Sequence, residues 1–154
     1  MVAASILLTG LAGALYFYSK KGSKSLGEVK YVVPNARLAI GSDHAGVEVK
    51  SQLVEFLEAQ GFGITDVGTE NKELSCDYPD YGHRVATRVS NTIADFGILI
   101  CGTGVGMAMT ANKHNGVRAV VSTDGDTPKM ARAHNNANLI CFGARTQSIE
   151  EIKY

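Results

Sequence analysis

Cys101 is the side chain from which chemistry can most readily be built. Residues 97–106 read Gly-Ile-Leu-Ile-Cys-Gly-Thr-Gly-Val-Gly, an apolar run that enters a thiol and then a glycine-rich turn. Ile98, Leu99 and Ile100 fit a central strand. Gly102, Gly104 and Gly106 let the following backbone bring its N–H groups close to a ligand, and the spacing beyond predicts a helix over Val105 to Lys113. A thiol at the end of a strand, facing such a turn, sits where oriented amides favour negative charge. That suits a thiolate base beside an anionic intermediate. A tight strand-to-helix turn around a small apolar cysteine explains the same residues equally well, so the motif needs company.

The other strand ends supply it. Asp43 and His44 follow the first predicted strand, Cys101 and Thr103 the third, and Asp124 and Asp126 the fourth. His134 and Asn135 fall in a loop between the fourth helix and the fifth strand, at the opposite end, and periodicity alone does not bring His134 to Cys101. Taken singly each has a duller explanation: Asp43 can cap the first helix, and Thr103 can bond its own turn. His83 and His114 fit helix or loop surface and are assigned no role. Competing motifs fail. Met107 stands where a G-x-G-x-x-G fingerprint needs its third glycine, and neither a phosphate-loop G-x-x-x-x-G-K-[ST] nor a G-x-S-x-G elbow occurs.

These residues need elements to position them. Strands are predicted at Leu38 to Gly41, Gly63 to Gly68, Phe96 to Cys101, Val117 to Val121 and Leu139 to Phe142. A helix with Val49, Leu53, Phe56 and Leu57 on one face follows the first strand, with Gly61 just past its end. Asp80 to Ile93 reads as a helix with Val85, Ala86, Val89 and Ile93 on its apolar side. Thr69 to Pro79 is polar and irregular, an expected active-site loop. Thr127 and Pro128 suit the cap and first position of a helix ending near His134. Five such units predict an α/β fold, an open five-stranded parallel sheet with helices on both faces, with ligand at the carboxyl ends of the strands where their order reverses.

The 154 residues hold one ordinary domain plus an extension, and 15 basic against 15 acidic side chains give no general attraction to nucleic acid. Three cysteines without a C-x-x-C pair argue against a disulfide framework or structural zinc, and nothing forces a metal or other cofactor. Residues 2–18 are uncharged and closed by Lys20, Lys21 and Lys24. Positive charges after the apolar core are the reverse of a secretory signal. They predict a signal-anchor holding a cytosol-facing domain, so residues 1–36 are expected to be anchor and linker and residues 37–154 the domain.

Six blocks then carry a resemblance. Gly41-Ser42-Asp43-His44-Ala45-Gly46, Asp77-Tyr78-Pro79-Asp80-Tyr81 and Cys101-Gly102-Thr103-Gly104-Val105-Gly106 resemble the type B ribose-5-phosphate isomerases. Ala111-Asn112-Lys113 with Gly116-Val117-Arg118-Ala119, then His134-Asn135-Asn136-Ala137-Asn138, and Phe142-Gly143-Ala144-Arg145 continue the match in the same order. The wider family includes galactose-6-phosphate isomerase subunits. The resemblance implies an aldose–ketose interconversion of ribose 5-phosphate and ribulose 5-phosphate through an enediolate, without cofactor or metal. It implies Cys101 as the base, Thr103 as a group holding the base or a substrate hydroxyl, and His134 as the acid that opens the furanose ring. Asp43, His44, Asn135 and Arg145 are implied as substrate-binding residues, with His44 on the phosphate side. The amides of Gly102 to Gly106, including Gly104 and Val105, are implied as an oxyanion hole. It further implies a cytoplasmic homodimer with shared sites, in which His134 serves the neighbouring subunit's cysteine.

The family's C-terminal helix carries arginines that grip phosphate, and this sequence enters that helix at Ile149 to Tyr154. The domain is therefore expected to be truncated there. Two alternatives follow: a membrane-tethered, catalytically impaired relative that only binds a sugar phosphate, and an isomerase of a hexose 6-phosphate.

Overall fold

The computed structural model describes residues 36–153. The anchor expected over residues 2–18, and the linker after it, lie outside the described residues. No helix among the described residues is long and apolar enough to cross a membrane.

Five strands form one parallel sheet: β1 (Arg37–Ser42), β2 (Gly63–Asp66), β3 (Phe96–Cys101), β4 (Ala119–Val121) and β5 (Leu139–Gly143), in the order β2-β1-β3-β5-β4. Strand β3 lies between β1 and β5 and is buried over its whole length. A strand covered on both faces has no use for polar alternation, which is why its sequence is a continuous apolar run. Alternate residues feed two separate cores. Leu38, Ile40, Phe96, Ile98, Ile100, Ile140 and Phe142 pack on one face, and Ala39, Leu99, Cys101, Leu139 and Cys141 on the other.

Helices α1 (Val47–Ala59) and α5 (Ile149–Lys153) cover the first face, with Leu53, Leu57 and Ile152 buried in its core. Helices α2 (Tyr78–Ser90) and α3 (Val105–Ala111) cover the second. Helix α4 (Thr127–Asn135) buries only Pro128 and Ala131, and Arg132 lies 5.2 Å from the Phe96 ring. Close approach sets the depth of α2: a Cβ at Gly41 or Gly97 would stand 2.9 Å from a Val85 methyl. Helix α2 is also clasped at the surface to the turn after α3, where His83 Nδ1 and His114 Nε2 are 2.8 Å apart. Burial and the neighbouring His83 push the His114 imidazole down from its ordinary value.

Several boundaries differ from the sequence reading. Helix α2 begins at Tyr78, because Pro79 is tolerated in a first turn whose amides need no partner, and it stops at Ser90. Thr92 then takes a positive φ of 57° and Ile93, expected on the apolar side, is 57% exposed. Strands β2 and β4 are shorter than expected. Residues one and three positions beyond Asp66 still bond to β1, through Val67 N–H to Ile40 O and Thr69 N–H to Ser42 O. Thr127 is not the cap of α4. The Asp124 carboxylate takes that role, accepting from the Asp126 and Thr127 amides and the Thr127 hydroxyl at 2.7–2.9 Å, bonds that hold its pKa down. His134 and Asn135 lie in the last turn of α4, not in a loop.

Candidate functional site

The sheet order reverses at β1 and β3: β1 leads to β2 on one side, and the chain then crosses over to β3 on the other. A crevice outside the strand ends belongs at that point. Three turns meet there. The Asp43 amide donates to Ile100 O at 3.3 Å, which joins the turn after β1 to the end of β3. The Ala144 amide donates to Cys101 O at 2.8 Å and the Arg145 amide to Gly102 O at 3.0 Å, which joins the turn after β5 to the same place.

Cys101 is the last residue of β3, 5% exposed, and its Sγ accepts the Gly104 N–H at 3.1 Å. That bond exists because Gly104 turns left-handed, with φ 78°, and so aims its amide back at the sulfur. A Cβ there would also stand 3.1 Å from the Phe142 carbonyl carbon, so only glycine suits both the torsion and the space. The thiolate is the reactive form of a cysteine, and this amide stands at the atom that would carry its charge. The Val105 amide is directed to the Thr103 hydroxyl at 3.4 Å. Thr103 thus bonds its own turn, and the donor that reaches Cys101 is Gly104.

The walls of the crevice are polar. Asp43 is 6% exposed, and its Oδ1 accepts the Ala45 amide at 2.9 Å. Burial pushes its carboxyl up, against the opposing pull of that amide, of His44, of the Gly46 amide and of Arg145. The exposed Arg145 side chain lies along Gly102, where an added Cβ would meet its Cδ and Nη1 at 3.4 Å. His44 Nδ1 accepts the Cys76 amide at 3.2 Å, so in the neutral ring the proton resides on Nε2. Cys141, on the same sheet face as Cys101, is buried, and burial followed by the Cys101 charge pushes its thiol well up. Of the two buried sulfurs, only Cys101 ends a strand and receives an amide.

The turns after β1, β3 and β5 therefore bring together Asp43, His44, Cys101, Gly102, Thr103, Gly104, Val105, Gly106 and Arg145. His134 and Asn135 lie elsewhere. They precede β5, whose first residue pairs with Gly97, whereas Cys101 pairs with Gly143 at the other end. Four residues of strand, roughly 13 Å, separate those ends. Within one chain His134 does not reach the thiol. Asp124 and Asp126 serve the start of α4 and not the crevice. Two features escaped the sequence reading. The Tyr78 ring covers Gly106, where a Cβ would be 2.7 Å from it. Lys50 is buried against Asp66. Its signal is a lysine at the 47-50-53-57 spacing of the inward stripe of α1, where a hydrophobe is expected.

Comparisons with known proteins agree with this architecture. The chain is 41% identical over 117 residues to ribose-5-phosphate isomerase B of Escherichia coli, covering 76% of this chain and 78% of that one. Ribose-5-phosphate isomerase B of Clostridium thermocellum superposes with a TM-score of 0.73 at 42% identity, over 75% of this chain and 77% of that one. The Mycoplasma genitalium enzyme, solved with bound ribulose 5-phosphate, gives 0.72 at 41%, over 76% and 78%. The family described as Ribose/Galactose Isomerase matches residues 38–154, all of the sheet but Arg37, and the chain belongs to that family.

Proposed function

We propose that this chain interconverts ribose 5-phosphate and ribulose 5-phosphate, with Cys101 as the base. The observation that carries the reading is the Cys101 thiol at the reversal point of the sheet, with the Gly104 amide on its sulfur and Asp43 and Arg145 beside it. The Cys101 thiolate takes the proton from C2 of the open-chain aldose, leaving an enediolate. The hydroxyl proton of O2 passes to O1, and the same thiol returns its proton to C1, which leaves the carbonyl at C2. The Gly104 and Val105 amides are engaged within the turn, so the oxyanion falls to the amides of Gly102, Thr103 and Gly106. Preorganised donors of this kind are each worth about a hundredfold in rate or more. Asp43 accepts from sugar hydroxyls, and His44 and Arg145 lie on the phosphate side. A guanidinium is suited to that role because it meets a phosphate with two parallel N–H bonds.

His134 and Asn135 complete the site from a second copy of the chain. Their distance from Cys101 supports this, as does the apolar face of α3 beside the turn, where Val105 is 51% and Met109 64% exposed. In that homodimer His134 opens the furanose ring by acid catalysis and Asn135 holds sugar hydroxyls. The reaction places the protein in pentose phosphate carbohydrate metabolism.

The test is conversion of ribose 5-phosphate by the chain and by Cys101→Ala, each with and without EDTA. Activity that withstands the chelator and is lost in the variant is expected. Equal activity in the variant removes Cys101 as base. Because the matched family is described for both ribose and galactose, galactose 6-phosphate is assayed in parallel. A preference for it would shift the substrate to the hexose and keep the chemistry.

A further inference from the structure

The segment between β2 and α2, residues 67–77, is held near the end of β1 with the help of an ion pair between a buried lysine and an exposed aspartate. Lys50 is 2% exposed, among the apolar residues of α1, and its ammonium meets Asp66 Oδ2. The other oxygen of Asp66 accepts the Gly68 amide at 2.8 Å. Gly68 lies so close that a Cβ would stand 3.0 Å from Lys50 Cδ and 2.5 Å from the Ser42 amide nitrogen. Thr69 N–H then bonds Ser42 O at 3.1 Å, and at the far end of the segment the Cys76 amide bonds His44 Nδ1. On the surface Lys72 bonds Glu48 at 2.7 Å, a pair exposed on both sides and so of small energetic value.

A buried ammonium is costly to keep in an apolar stripe, where a methionine of similar length would pack without desolvation. Stability alone does not explain Lys50. We infer that Lys50 and Asp66 are positioning residues: they seat this segment against β1 so that the Cys76 amide reaches His44 and fixes its proton on Nε2, toward the substrate phosphate. The inference rests on the isomerase reading for its kinetic part.

The experiment compares the 154-residue chain with Lys50→Met and Asp66→Asn, measuring kcat and KM for ribose 5-phosphate and the ¹⁵N shifts of the His44 ring. Asp66→Asn keeps an oxygen for the Gly68 amide, so it serves if Lys50→Met fails to fold. The expected result in a folded variant is a KM raised about tenfold, with kcat within about threefold. The His44 nitrogens should move toward tautomer-averaged shifts. Unchanged KM with unchanged His44 shifts overturns the inference, as does a fall in kcat alone. If the parent chain does not act on ribose 5-phosphate, the isomerase reading fails, and the His44 shifts still decide whether the pair sets the tautomer.

Discussion

Asp43 carries a charge that the fold opposes. Its carboxyl is raised above its ordinary value of 3.8, chiefly by burial. The folded chain therefore holds that proton more firmly than the unfolded chain. This contribution to stability is fully present below the unfolded pKa and is lost as pH rises through the folded one. At neutral pH the carboxylate is a standing cost. Asp43→Asn keeps an oxygen for the Ala45 amide and removes the charge. It should raise the melting temperature at pH 7 by about 2 °C, a gain that shrinks in acid, while kcat/KM falls at least about tenfold. Melting curves at pH 7 and pH 4 beside the kinetic assay check this, and a lower melting temperature at pH 7 would refute the buried-charge account. Cys101 and Asp43 were legible because their types stand at predicted strand ends, and Arg145 only through the resemblance of the block that holds it. Lys50 was not, because pattern reading assigns a lysine to solvent and its burial depends on Asp66, 16 residues away.

The turn between β3 and α3 owes its shape to Gly104, and a comparison of two glycines isolates how. Gly104 and Gly116 both have positive φ, 78° and 74°, but a Cβ at Gly116 meets nothing within 4 Å whereas one at Gly104 meets the Phe142 backbone. Gly116→Ala should cost only the torsional strain, about 1–2 kcal/mol, with activity retained. Gly104→Ala should cost more, and should also lower kcat by turning the donor away from the thiol. Urea denaturation midpoints and kcat for the two variants decide it, and equal losses in both would refute the crowding argument. The buried strands were read nearly to the residue, since β1, β3 and β5 are apolar over their length. Ends set by tertiary contacts were not. Asp124 displaced Thr127 as the cap of α4, and α4 continued through His134 and Asn135 because Asn136 closes it in a left-handed conformation, φ 52°.

A site divided between two copies makes a quantitative demand on the whole molecule. Mixing Cys101→Ala with His134→Ala, each inactive alone, should restore up to about a quarter of wild-type activity, since half the random dimers are mixed and each has one intact site. No recovery after unfolding and refolding the two variants together would mean that His134 acts without crossing subunits. Nothing in one chain's periodicity could settle where His134 acts, because the proposed relation lies between chains. The same division has a consequence for how the molecule opens. Strand β3 is buried throughout and paired on both sides, so its amides are released to solvent only with the entire fold. Strand β4 is three half-buried residues at the sheet edge, and α4 buries two side chains. The thiol thus rides on a late-opening strand and the imidazole on a helix packed at the sheet edge, which opens earlier. Warming should release the proposed ring-opening acid through local fraying while the proposed base still stands on intact sheet.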